Sequence, residues 1–170
     1  MTLQNIDKLT YRKRLNIVIA CAIVTLLVFA LGTSTLLIQL VGNQNGSNFV
    51  LNLMGVIFAG LTVGIVLYRI RKQPYMAEVV YVWQLKQELN VIYRHSAKLK
   101  RALEHDDHNA LIINLFNLKG SIQLYELDDN DLTLENLRHE IAEFEKKLEY
   151  LDVDISTEDY SRDLLNQLSS

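Results

Sequence analysis

Leu15–Tyr68 reads LNIVIACAIVTLLVFALGTSTLLIQLVGNQNGSNFVLNLMGVIFAGLTVGIVLY, and it contains no Asp, Glu, Lys, Arg or His across 54 consecutive residues. At an ordinary charged fraction of about one residue in four, such a run arises by chance less than about once in a million. Two apolar spans divide it, at about Leu15–Leu40 and Phe49–Ile70. A helix rises about 1.5 Å per residue, so each span is long enough to cross a hydrocarbon core of about 30 Å. The short polar stretch between them, VGNQNGSN at 41–48, reads as a turn. The expectation is a two-helix transmembrane hairpin over 15–72. A cleaved signal peptide fits poorly, because the first apolar stretch is about twice the usual length and a second span follows at once.

Charge orients the hairpin. Arg12, Lys13 and Arg14 abut the first span, and Arg69, Arg71 and Lys72 abut the second. The connecting turn has no basic residue. The positive-inside rule then predicts that both flanks lie in the cytoplasm. Tyr11 and Tyr68 sit where amphipathic aromatics anchor well. Before the first span, Leu3, Ile6 and Leu9 recur at helical spacing. Residues 1–14 therefore read either as a short interfacial helix on the membrane surface, or as an extension of the span or a frayed terminus.

The spans hold few polar groups (Thr25, Thr33, Ser34, Thr35, Gln39, Asn52 and Thr62), none of them charged. A proton or ion path ordinarily needs an intramembrane charge, so a transporter is not expected. Gly55, Gly60 and Gly64 line the second span, the last two as a G-x-x-x-G step. Small residues let helix backbones approach closely. Two partners fit that face: the first span of the same chain, or a second copy in a homo-oligomer. The lone Cys21 in the first span reads as a packing residue.

Beyond the hairpin the chain is acidic. Residues 1–74 carry seven basic groups and one acid, whereas residues 75–170 carry ten basic and nineteen acidic groups. A net negative domain is repelled by nucleic acid, which is not expected as a partner. After Pro74, apolar residues fall in heptads. Val82, Leu85, Leu89, Ile92, Leu99 and Leu103 mark a first helix, with Ser96 in one slot. Leu111, Leu115, Leu118, Ile122 and Tyr125 mark a second. Leu134, Leu137, Ile141, Phe144, Leu148 and Leu151 mark a third. Each seam predicts one buried face. Asp106–Asp107 and Thr133 are the expected caps of the second and third helices. Ser156-x-x-Asp159 resembles a capping box opening a short fourth helix with Tyr160, Leu164, Leu165 and Leu168. The expected fold is all-α: the hairpin, then an antiparallel cytoplasmic bundle over 73–170 of three long helices and a short C-terminal one. The alternative use of a seam is a coiled coil between chains.

No catalytic pattern emerges. His105–Asp106–Asp107–His108 falls in a predicted turn, no Glu-x-x-His is present, and Glu135 and His139 read as a surface pair. Gly120 is the sole glycine after residue 64, so no phosphate-binding loop exists. The acidic run Glu126–Asp131 lacks the ligand alternation of a calcium loop and reads as a charged turn. No enzyme activity, metal or cofactor is expected.

The run Tyr75–Arg94 (YMAEVVYVWQLKQELNVIYR), after two short-looped spans and a basic step, resembles a proteobacterial inner-membrane family defined only as a domain of unknown function. Val82–Trp83–Gln84–Leu85–Lys86 is its most distinctive piece. The resemblance implies an inner-membrane location and transfers no activity or functional residues. Trp83, beside the seam, reads as a core residue. The expected role is a non-enzymatic membrane-anchored module, its partners the bilayer and a protein docking on the bundle. The alternative is a self-assembling protein, structural or pore-lining, and a third, less favoured reading is an enzyme or ion sensor.

Overall fold

A computed structural model describes residues 1–42 and 47–168. The expected turn at 41–48 lies in part outside them. The architecture is all-α, in two compact units, residues 12–80 and residues 1–11 with 81–170. The sequence had suggested limits at 14 and 72.

The first unit holds the apolar helices α1 (Lys8–Val41) and α2 (Phe49–Ile70), followed by a 3-10 turn at Pro74–Met76 and the start of α3 (Ala77–Arg94). Both α1 and α2 are long and apolar enough to cross a membrane, and only 6% and 11% of their most apolar windows are buried within the chain. A core helix of a soluble domain would hide such a face. Side chains such as Leu27, Val28, Phe29, Val50, Phe58, Leu61 and Ile65 instead stand exposed. The spans meet through small residues. Gly55 and Ala59 are buried, and a Cβ on Gly55 would lie 2.8 Å from the Ala30 carbonyl oxygen. The Ser34 hydroxyl bonds the Asn52 side chain beside that contact.

The second unit is the bundle. The expected first long helix breaks at His95, giving α3 and α4 (Ser96–Glu104). The break falls where the heptad holds polar Ser96. There the His95 amide turns to the Ile92 carbonyl at 2.9 Å, a tighter step than the α-helical one. The chain continues as α5 (His108–Asp128), α6 (Asp131–Leu151), a 3-10 turn at Thr157–Asp159 and a short α7 (Leu164–Gln167). Lys119 pairs with Glu145 at 3.1 Å and Glu126 with Arg138 at 2.8 Å, so α5 and α6 run antiparallel. Their seams close on one another as Leu111, Leu115, Leu118, Phe144 and Leu148, with Leu103, Leu137, Ile141, Val153 and Ile155 packed around them.

Helix α5 is buried beyond its predicted seam. Ala110, Ile112, Ile113 and Phe116 are buried as well, so it forms the centre of the unit. A helix apolar all round belongs inside, and ALIINLF at 110–116 is such a sequence.

Three aspartates close helices in the left-handed region: Asp106 (φ 51°), Asp129 (φ 55°) and Asp152 (φ 53°). The next amide in each case returns to a carbonyl five residues back: Asp107 to Ala102 at 3.1 Å, Asn130 to Tyr125 at 3.0 Å and Val153 to Leu148 at 3.1 Å. This is the Schellman closure, here with Asp where Gly is usual, since Asp also tolerates αL. The closure at Asp129 lets α6 restart at once. Asn130 precedes its first turn, and Thr133 lies inside the helix rather than capping it.

Asp107 does cap α5, accepting from the Ala110 amide at 2.9 Å. Asp107→Ala is expected to cost about 1 kcal/mol, measured as a lowered midpoint in denaturant unfolding with unchanged helical circular dichroism. The Ser156–Asp159 box also forms, with the Ser156 amide donating to Asp159 Oδ2 at 2.7 Å. It opens only the 3-10 turn at Thr157–Asp159, however. Tyr160 then runs extended, and the short helix begins only at Leu164.

Residues 1–7 carry no helix, which overturns the reading of an interfacial helix there, while α1 extends the first span back to Lys8. The Gln4 amide donates to the Tyr81 hydroxyl at 2.9 Å, and that hydroxyl donates to Gln123 at 2.8 Å. Gly120 makes room nearby: a Cβ there would come within 3.3 Å of Leu85 and Leu89 and 3.7 Å of Leu3.

Candidate functional site

The residues singled out by charge come together. Arg14, at the start of α1, donates to the carbonyl oxygens of Tyr75 (3.2 Å) and Pro74 (3.4 Å) and pairs with Glu78. The two basic clusters therefore lie at the same end of the hairpin. Arg14 also stands 5.1 Å over the Tyr75 ring, and Arg71 stands 4.0 Å over Tyr68. Such stacking holds a cation beside an aromatic while leaving donors free. Lys13, Arg69, Arg71 and Lys72 are exposed, and Arg12 and Arg14 are partly buried.

The glycines divide. Gly55 faces the first span, whereas Gly60 and Gly64 are exposed and have room for a Cβ, with nothing within 4 Å. The G-x-x-x-G step is thus not the contact between α1 and α2.

The polar runs of the bundle are used in holding it together. Asp106 pairs with Lys147 at 2.5 Å, and Asp107 is the α5 cap. In the acidic turn, Glu126 pairs with Arg138 at 2.8 Å, Asp128 with Lys86 at 2.8 Å, and Asp129 with Lys8. Tyr11, buried, also donates to Asp128 at 3.2 Å. His139 faces Glu143 at 3.7 Å rather than Glu135. Among the described residues no three His, Cys, Asp or Glu side chains converge to hold a metal.

The most developed site lies elsewhere, on α3. Glu88 is the buried charged side chain of the core, 6% exposed. The Tyr160 hydroxyl donates to its Oε1 at 2.8 Å, Arg162 Nε donates to the same oxygen at 3.1 Å, and Arg162 Nη2 reaches Oε2. Tyr160 is itself fixed by stacking on Phe116, ring centroids 4.0 Å apart and planes within 13°. Burial pushes the Glu88 carboxyl up, but the hydrogen bonds from Arg162 and Tyr160 and the Arg162 charge outweigh it, leaving the carboxyl below its ordinary value. Burial, reinforced by the Glu88 carboxylate, pushes the Tyr160 phenol well above its ordinary value. The Glu88 bonds and charge push Arg162 up too.

This cluster forms one wall of an open cleft of about 670 Å³, lined along α3 by Trp83, Gln84, Gln87, Val91 and Arg94 and closed by Arg162 and Met1. Trp83 is 59% exposed and belongs to this cleft rather than to the core. It occupies the helix position next to the buried seam residue Val82, which is why heptad reading placed it inside. Glu88 is likewise adjacent to seam residue Leu89. Its partners lie 72 and 74 residues further on, in the irregular stretch before α7 where no periodicity marks them.

Within the cleft, Glu88 is already held by Tyr160 and Arg162. The cleft offers an indole, two guanidinium groups and two side-chain amides, which suit binding. Trp and Arg are the side chains most enriched where protein contacts concentrate their energy.

A family model described as a protein of unknown function, DUF3087, matches residues 1–165. No curated protein and no solved structure matches the chain.

Proposed function

We propose that this chain, which belongs to the DUF3087 family of proteins of unknown function, is a non-enzymatic membrane-anchored interaction module. The hairpin α1–α2 anchors it in the inner membrane, and the acidic bundle stands on the cytoplasmic side. The exposed apolar surface of both long helices supports the anchor. The absence of basic residues at 15–68, set against clusters on both flanks, supports the orientation. The single observation that carries the binding role is the exposed Trp83, which lines the α3 cleft together with Arg94 and Arg162. Anchoring confines the module to two dimensions and raises the effective concentration of any partner at the same surface.

The test is site-specific photocrosslinking in native membranes. A crosslinker at Gln84 in the cleft is expected to capture a discrete protein partner, and one at Glu140 on exposed α6 is not. Trp83→Ala is expected to weaken capture by about thirtyfold, the loss of one hot-spot side chain. Capture indifferent to Trp83→Ala, or none from Gln84, contradicts the reading.

One observation favours self-assembly as a second reading. Gly60 and Gly64 present a bare backbone face that the first span does not use. That reading expects a dimer in mild detergent that becomes monomeric on Gly60→Leu with Gly64→Leu. An unchanged size for both proteins removes it.

A further inference from the structure

We propose that the basic end of the hairpin holds one acyl chain of an anionic glycerophospholipid, its phosphate met by Arg14. The spans touch where Gly55 lies against Ala30 and Ser34. Beyond Ala59, towards the basic end, the glycines of α2 do not bring the spans together, because Gly60 and Gly64 turn away. A cavity of about 290 Å³ opens there, between Val18, Cys21 and Ala22 of α1 and Val63 and Leu67 of α2, with Tyr75 at its base. Its lining is almost wholly apolar. Water gains nothing in such a space, and a void would forfeit dispersion contacts along both helices. In a bilayer the available filler is a hydrocarbon chain.

The charge at the mouth selects the headgroup. Arg14 bonds the carbonyl oxygen of Tyr75, a residue of the cavity wall, so its guanidinium is fixed at the rim. All its hydrogen bonds in the structure leave from Nη1. A guanidinium carries five N–H donors, so Nε and Nη2 remain to meet a phosphate. Lys13, Arg69, Arg71 and Lys72 flank the same end, against the single carboxylate Glu78. This surplus favours an anionic over a zwitterionic headgroup.

The inference rests on the anchor reading, so the experiment separates the two. Purified full-length protein is first floated with vesicles, and failure to float refutes the anchor itself. Protein that floats is then released from mixed phosphatidylglycerol and phosphatidylcholine nanodiscs and analysed by native mass spectrometry. One retained phosphatidylglycerol is expected, preferred about fivefold for each cation engaged. Ala22→Phe fills the cavity and is expected to abolish retention, and Arg14→Gln to remove most of the preference. If Ala22→Phe does not fold, the native Cys21 decides: phosphatidylglycerol is expected to slow its alkylation by N-ethylmaleimide in detergent, and phosphatidylcholine is not. Equal retention of both lipids, or retention unaffected by Ala22→Phe with Cys21 unprotected, overturns the proposal.

Discussion

Phe116→Ala is expected to destabilise the bundle by about 3–5 kcal/mol, the usual cost of emptying a large buried aromatic site. Phe116 is fully buried in the middle of α5 and stacks on Tyr160 at 4.0 Å. Helices α4, α6 and α7 all pack on α5, so few elements are free to collapse into the hole. The lost ring pair adds about 0.5–1.5 kcal/mol. A domain stable by about 5–15 kcal/mol would be left near its unfolding threshold. Trp83 is the chain's one tryptophan and lies in the same unit. Its fluorescence through a urea titration of the full chain in detergent therefore reports this unit alone. A cost under about 1 kcal/mol contradicts the central position of α5.

Glu88→Ala is expected to cost about 2–3 kcal/mol, mainly because it strands the buried Tyr160 hydroxyl. Arg162 contributes less than its geometry suggests, since its side chain is 61% exposed and can return to water. The pH dependence is distinctive. Glu88 is held below its ordinary value when folded. Its contribution is therefore complete above the unfolded carboxylate pKa of about 4.3 and is lost as pH falls through the lower native value. Tyr160 is raised when folded. Its contribution is complete below the unfolded phenol pKa of about 10 and is lost as pH rises beyond it. Wild-type stability should sag at both extremes, and Glu88→Ala should flatten the acid side. Equal acid slopes in the two proteins would show that Glu88 is not the group involved.

Much of the fold was legible because the signals are local. A charge-free run of 54 residues and three heptad seams need only neighbouring residues to be read. Seam residues Val82, Leu85, Leu111, Leu115, Phe144 and Leu148 are buried as their spacing implies. The misreadings have physical causes. Of the three candidate glycines, Gly55 does meet the first span, with Ala59, whereas the Gly60-x-x-x-Gly64 step does not. The face a helix turns to its neighbour depends on crossing geometry, which a sequence window does not contain. Thr133 is a good capping residue, but Asp129 closes α5 so tightly that α6 has already begun. The α3 cleft was hidden for a different reason. Glu88, Tyr160 and Arg162 form no motif, and only the path of an irregular C-terminal segment brings them together. The spacing of Leu3, Ile6 and Leu9 allows a helix at the N-terminus, but residues 1–7 form none, and the Gln4 backbone groups find partners in Tyr81 and Gln123 instead.

The central claim is that α1 and α2 anchor the bundle from one side of a membrane. In a Cys21→Ser background, Ser47→Cys marks the turn end and Lys100→Cys marks the bundle. Intact cells are treated with a membrane-impermeant maleimide, then compared with inverted membrane vesicles. The account predicts labelling of Ser47→Cys only from outside and of Lys100→Cys only in the vesicles, with both proteins resisting alkaline carbonate extraction. Labelling of both positions from the same side, or release of the chain by carbonate, would contradict it.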